Sequence, residues 1–281
     1  MSDRNTFSIG GDLTVSRLGF GAMRLTGDLN WGLPADPESA LKVARRVVEL
    51  GINFIDTADA YGPGTNEEQL AEALHPYPDD LVIGTKAGQS RPSAREWKPL
   101  GRPEYLRQQC ELSLRRLRVE CIDLYQLHRI DPQVPTADQF GALAQLQQEG
   151  KIRHIGLSEV TVEQLEEARD TIDVVSVQNL FNLTDRHHEP VLDYCTLNDI
   201  AFIPWLPIAR GEHALPGSPV ADVAGDLGAT PAQVALAWLL HRSPVVIPIP
   251  GTSSIAHLEE NARATEIELT DEQFERLNRL A

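Results

Sequence analysis

Five polar residues stand where apolar runs of this sequence stop: Asp56, Lys86, His128, Ser158 and Gln178. Tyr61 follows Asp56 by five positions, in a turn with Gly62, Pro63 and Gly64. Their types fit one piece of chemistry. A tyrosine is a weak acid, with an ordinary pKa of about 10. A neighbouring ammonium favours the phenolate and eases proton donation, so Lys86 is expected to activate Tyr61. Asp56 would keep Lys86 charged and in place. His128 would donate a hydrogen bond that orients a carbonyl. A proton donor aimed at a carbonyl oxygen needs a partner that reduces the carbon, and a hydride-donating cofactor is its natural complement. Each residue also has a plainer role: an edge lysine, a satisfied core histidine, a strand-capping glutamine. Five such coincidences in register are harder to accept than any one. The pair His187-His188 reads as a solvated loop pair without a third ligand, so no metal is expected.

The elements that must position these residues alternate. Phe7-Ser8-Ile9 and Leu13-Thr14-Val15, joined through Gly10-Gly11, read as a hairpin. Leu18-Gly19-Phe20-Gly21 is a short strand. Residues 36–50 form a helix, with Pro37 in its first turn, a stripe of Leu41, Ala44, Val47 and Val48, and Gly51 at its end. The strand ending at Asp56 follows. Helix 66–74, strand 81–86, helix 103–117 and strand 121–127 come next. They are followed by helix 136–149, strand 154–158, helix 161–169, strand 174–178, helix 189–198 and strand 201–205. Helix 230–241, strand 245–249 and helices 255–264 and 271–280 complete the chain. Eight strand-then-helix units, undivided by any linker, predict one α/β domain over residues 1–281. The fold expected is a closed (β/α)8 TIM barrel with an N-terminal β-hairpin and extra C-terminal helices. In such a barrel the strand ends converge on one mouth. An open doubly wound sheet usually carries a Gly-rich first turn, and neither Gly19-Phe20-Gly21 nor Gly62-Pro63-Gly64 supplies it.

Composition narrows the function. The 281 residues carry a formal net charge of −16, which opposes binding to nucleic acid or to an anionic membrane surface. No apolar run approaches the roughly 20 residues of a membrane span. Cys110, Cys121 and Cys195 lack any pairing or metal-ligand spacing, which suits a reduced cytoplasm. The start, Met1 to Phe7, lacks the apolar core of a signal peptide. A monomer is expected.

The sequence also resembles the aldo-keto reductase family over essentially its whole length. The resemblance is carried by Leu18-Gly19-Phe20-Gly21-Ala22-Met23-Arg24, Phe54-Ile55-Asp56-Thr57-Ala58 with Tyr61-Gly62, Gly84-Thr85-Lys86 and Ile122 to His128. It continues through Gly150 to Ser158, Val177-Gln178-Asn179, Ile249 to Ser253, and His257-Leu258-Glu259-Glu260-Asn261. The run Met23-Arg24-Leu25-Thr26-Gly27 is similar to bacterial members grouped with pyridoxal reductases. The resemblance implies a catalytic tetrad of Asp56, Tyr61, Lys86 and His128. It also implies NADPH across the strand ends, with Met23 in the cofactor site. Ser158 and Gln178 would hold the carboxamide and Trp205 would stack on the nicotinamide. Leu206, Ile208 and Arg210 would lie over the pyrophosphate. Gly251, Ser253 and His257 would meet the 2′-phosphate, and Glu260 and Asn261 the adenine. Trp31 and Trp97, in strand-to-helix loops, are candidates for the substrate wall.

Two departures stand out. Glu159 replaces the family's usual Asn, and an ionised Glu cannot donate to a carboxamide oxygen. It would weaken the cofactor's hold or turn away. Gly251 and His257 stand where many members have Lys and Arg, which leaves NADH open as a cofactor. The activity implied is reduction of an aldehyde or ketone, with pyridoxal-like substrates among the candidates. The competing reading is an NADPH-binding redox sensor or regulatory subunit with little turnover.

Overall fold

The computed structural model describes residues 5–209 and 217–280. The hairpin comes first, β1 (Thr6–Ile9) against β2 (Leu13–Ser16), turning through Gly10 and Gly11 at positive φ. Then β3 (Phe20–Gly21), α1 (Pro37–Glu49), β4 (Phe54–Asp56), α2 (Thr65–Leu74) and β5 (Val82–Ala87) follow. A second hairpin, β6 (Gln89–Ser93) with β7 (Glu96–Pro99), precedes α3 (Pro103–Leu117) and β8 (Ile122–Leu127). The chain continues through α4 (Thr136–Gln148), β9 (Ile152–Ser158), α5 (Val162–Arg169), β10 (Val174–Gln178), α6 (Glu189–Leu197) and β11 (Ala201–Phe202). It ends with α7 (Pro219–Leu227), α8 (Pro231–Arg242), α9 (Ile255–Ala262) and α10 (Asp271–Asn278). No single helix among the described residues is long and apolar enough to cross a membrane.

Seven strands make one parallel sheet, in the order β3, β4, β5, β8, β9, β10, β11. The segment Val245–Pro250 closes it into the expected barrel. On one side Ile247 N–H donates to Phe202 O at 2.8 Å; on the other Gly19 N–H donates to Pro248 O at 2.9 Å. This eighth position is a bridge rather than a regular strand, because Pro248 and Pro250 have no N–H to give to a ladder. Pro204 likewise stops β11 at Phe202, short of the expected end at Trp205.

Ile9, Leu13 and Val15 of the first hairpin are buried with Phe54, Val82, Leu124 and Val175, which lie early in their strands. The hairpin therefore plugs the bottom of the barrel and leaves the polar strand ends open at the top. Around the outside, most helices bury one stripe, while α8 is buried nearly all round from Gln233 to Leu239. In α1 the stripe is Ala40, Leu41, Val43, Ala44 and Val47, started by Pro37 and by Asp36, whose carboxylate accepts from Ser39 N–H. Thr161, Thr230 and Thr270 open their helices with full capping boxes.

Two elements were not anticipated from sequence. The β6–β7 hairpin is short and largely solvent-facing, so it carries little apolar alternation. Helix α7 lies in a stretch broken by Gly217, Pro219, Gly225 and Gly228, which read as loop, although Ser218 caps it and Val220, Val223 and Ala224 are buried. The last two helices end earlier than expected, α9 passing into a 3-10 turn at Arg263–Glu266 and α10 stopping at Asn278.

Candidate active site

The sheet register brings the strand-end residues to one level. Asp56 is the last residue of β4, Ser158 of β9 and Gln178 of β10; Lys86 is penultimate in β5 and His128 follows β8. Lys86 pairs with Gln126 and Gln178 with Ser158 across the ladder.

Lys86 Nζ donates to Asp56 Oδ2 at 2.7 Å and to Thr57 O at 2.7 Å. The ammonium is 0% exposed and the carboxylate 2%. Taking both charges out of water is costly, so the remaining lone pairs must be satisfied. Asp56 Oδ1 meets that need by accepting from Gln178 Nε2 at 2.8 Å and Gln126 Nε2 at 3.2 Å. Burial opposes the charge on Lys86, but Asp56 and Tyr61 outweigh it and hold its pKa above the ordinary value. Gln126 was not singled out from the sequence. Its signal was its place two residues before His128, on the same face of β8.

Lys86 Nζ lies 5.1 Å from the centre of the Tyr61 ring. The sequence led us to expect a lowered tyrosine pKa. Lys86 does pull it down, but burial is the larger influence and the net direction is upward. Tyr61 is therefore a protonated donor at neutral pH. His128 is held neutral, its pKa pushed well below the usual value by burial and by the charges of Lys86 and Arg129. Its Nδ1 is buried without a hydrogen-bond partner. The tautomer protonated on Nε2 then keeps the ring's one N–H as a donor.

Tyr61, His128 and Trp97 stand mutually edge-on, their ring centres 6.0 to 6.4 Å apart. Trp97 comes from β7, so the second hairpin, not an irregular loop, delivers it to the site. Arg91 lies 3.6 Å from the Trp97 ring and donates to Asn30 O and Ala60 O, tying that hairpin to the Tyr61 turn. Trp31, expected at the substrate wall, bridges to Gly62 but is 39% exposed and does not line the cavity. The Arg91 guanidinium lies 5.4 Å from its ring.

The cavity at the mouth has a volume of about 440 Å³. Asp56, Tyr61, His128 and Trp97 line it, as do Met23, Ser158, Gln178, Trp205, Leu206, Ile208 and Gly251 from the expected cofactor set. Part of its floor is bare backbone. A Cβ on Gly21 would lie 2.7 Å from Ile249 O, and one on Gly251 2.6 Å from Gly21 O, so both positions require glycine. Arg129 also lines the cavity, donating to Ser158 Oγ at 3.0 Å. It follows His128 directly, the one sequence cue to it.

The rest of the expected cofactor set is not gathered in this cavity. Ser253 lies just before α9, whose first turn is capped by Ser254 accepting from His257 N–H. Glu260 accepts from Thr230 Oγ1 at 2.7 Å, and Asn261 is buried. Arg210 falls outside the described residues.

Glu159 turns away from the cleft. It occupies the left-handed region at φ 56°, and its Oε1 accepts from Leu180 N–H at 2.7 Å and from Trp205 Nε1 at 2.6 Å. Burial opposes its charge, but contacts with His188, Trp205 and Leu180 win and bring its pKa down to about 2. Its other oxygen, Oε2, is 3.5 Å from His188 Nε2. This corrects the expectation for His187-His188: folding brings Glu159 to the pair as a third potential ligand.

The Aldo/keto reductase family profile matches residues 17–215 and 217–281. The chain belongs to the aldo/keto reductase family. An uncharacterized oxidoreductase of Schizosaccharomyces pombe is 54% identical over 268 residues, covering 95% of this chain and 87% of its own. The pyridoxine 4-dehydrogenase of Escherichia coli is 42% identical over 280 residues, covering 98% and 97%. Among solved structures, an aldo-keto reductase from Klebsiella pneumoniae in complex with NADPH superposes with a TM-score of 0.83 at 27% identity. That match covers 98% of this chain and 94% of the other. This member of the family is thus an oxidoreductase with a closed parallel barrel and a polar mouth.

Proposed function

We propose that the protein is an NADPH-dependent carbonyl reductase acting on a small aldehyde or ketone, with pyridoxal as the first substrate to test. The observation that carries this reading is the buried Lys86–Asp56 pair beneath Tyr61, with neutral His128 beside it in one cavity. The glycine-floored cleft, the amide of Gln178 and the indole of Trp205 fit a flat nicotinamide at the strand ends. When bound, NADPH supplies the two electrons and the hydrogen that the carbonyl carbon takes up.

The chain's own residues do the rest. His128 Nε2–H and the Tyr61 hydroxyl both donate to the carbonyl oxygen and fix it. As negative charge grows on that oxygen, Tyr61 gives up its proton. Lys86 stabilises the phenolate that remains, and Asp56, held by Gln126 and Gln178, keeps Lys86 in place. Trp97 keeps water from one side. Ser253, His257, Glu260 and Asn261 would hold the adenosine end beyond the cavity. NADPH is favoured, with NADH as a secondary donor because Gly251 and His257 bring little fixed positive charge. The E. coli pyridoxine dehydrogenase points to vitamin-like aldehydes. We read the protein as a cytoplasmic monomer.

The test is NADPH consumption with pyridoxal and an activated aromatic aldehyde, for wild type and Tyr61→Phe together. Wild type should turn over. The variant should lose at least about a hundredfold, as expected for a general acid, while binding NADPH normally. Retained turnover in the variant would remove Tyr61 from its role.

A further inference from the structure

We propose that Glu159, His187 and His188 form a site for a zinc-class divalent transition-metal ion, built at the edge of the cleft on the same carboxylate that holds Trp205. Two imidazoles and a carboxylate suit Zn²⁺ and its neighbours rather than Mg²⁺ or Ca²⁺, which prefer all-oxygen sets.

Several features support the site. The three ligand atoms lie within 4.8 Å of one another. The separation of His188 Nε2 and Glu159 Oε2, 3.5 Å, is close to the ~3.3 Å between two ligands bound tetrahedrally at about 2.0–2.1 Å. Glu159 can serve both partners because Oε1 is engaged by Trp205 and Leu180 while Oε2 faces His188. His187 Nδ1 meets the Asp185 carboxylate, an outer partner of the kind metal-bound imidazoles usually have. Asp185 is itself held, its N–H donating to Asn182 Oδ1 at 3.0 Å. Arg186 anchors the same loop by donating to Asn278 O at 3.0 Å. The His187 side chain is 54% exposed, which gives an ion a way in, while those of His188 and Glu159 are 13% and 22% exposed. Three protein ligands leave a fourth position for water. A bound ion would lock Glu159, and through it the Trp205 wall.

The site stands independently of the reductase reading, since ion binding needs neither NADPH nor a carbonyl. The experiment is calorimetric titration of chelator-treated, tag-free protein with ZnCl₂, comparing wild type with His187→Ala, His188→Ala and Asp185→Asn. Wild type should bind one Zn²⁺ per chain with micromolar affinity. Each histidine variant should weaken binding at least tenfold, and Asp185→Asn about tenfold, the usual cost of losing an outer partner. Thermal melts run alongside check folding, and His187→Ala decides alone if His188→Ala unfolds, since His187 is largely in solvent. No Zn²⁺ binding by wild type, unchanged affinity in His187→Ala, or equal binding of Mg²⁺ would overturn the proposal.

Discussion

The Glu159 carboxylate accepts a hydrogen bond from the indole N–H of Trp205 at 2.6 Å, across 46 residues of sequence. The bond fixes one wall of the cleft. Replacing Glu159 with Ala leaves both Trp205 Nε1 and Leu180 N–H without their acceptor. A hydrogen bond to a charged group contributes about 1.5–3 kcal/mol. Part of that should appear as weaker cofactor binding, with NADPH affinity falling about tenfold in a fluorescence titration. Glu159→Asn should lose less, since Asn tolerates positive φ and keeps an acceptor oxygen. Unchanged affinity in Glu159→Ala would show that Trp205 holds its place without this bond.

Lys86 and Asp56 form a fully enclosed pair, and removing one partner strands the other's charge. Lys86→Met should destabilise the fold by about 3–5 kcal/mol in urea denaturation and abolish turnover. The double variant Lys86→Met/Asp56→Asn should recover much of the stability but none of the turnover. If the single variant were as stable as wild type, the pair would contribute chemistry only.

His128 makes acid stability depend on its neighbours. Its folded pKa is depressed, while in the unfolded chain the ring takes a proton near its ordinary value of about 6.5. Between those two values the unfolded state binds more protons, so stability rises with pH there. The contribution is complete above about pH 6.5 and is lost as pH falls below it towards the folded pKa. Urea midpoints measured downward from about pH 7 should therefore fall more steeply for wild type than for His128→Gln. Equal slopes would mean that the ring accepts its proton without unfolding.

Beside the site, Glu67 is 0% exposed and accepts from Arg116 Nη1 at 2.6 Å and from Thr85 Oγ1 at 2.6 Å. It links α2, α3 and β5. Arg116→Met should cost about 3–5 kcal/mol in denaturant unfolding, because Glu67 is left buried and uncompensated. A loss under about 1 kcal/mol, typical of an exposed pair, would show that water reaches Glu67 once Arg116 is gone.

What the sequence by itself determined is the barrel and the inward set of Asp56, Lys86, His128, Ser158 and Gln178. Each ends an apolar run, and parallel strands closed in a ring must bring such ends together. Their residue types then point to proton donation beside a reducible carbonyl. Tertiary structure decided what depends on distance across the chain and on burial. Trp97 reaches the cavity because Arg91 pins its hairpin to the Tyr61 turn, whereas Trp31, equally plausible in sequence, stays outside. The sequence places a strand at 245–249, but that it closes the barrel as a bridge and not a ladder emerges only on folding, where Pro248 and Pro250 have no N–H to give. The net rise in the Tyr61 pKa follows from desolvation, which no spacing reveals. Glu159 found its partners, Trp205 and His188, only on folding, because its left-handed backbone turns the carboxylate out of the cleft and towards residues distant in sequence.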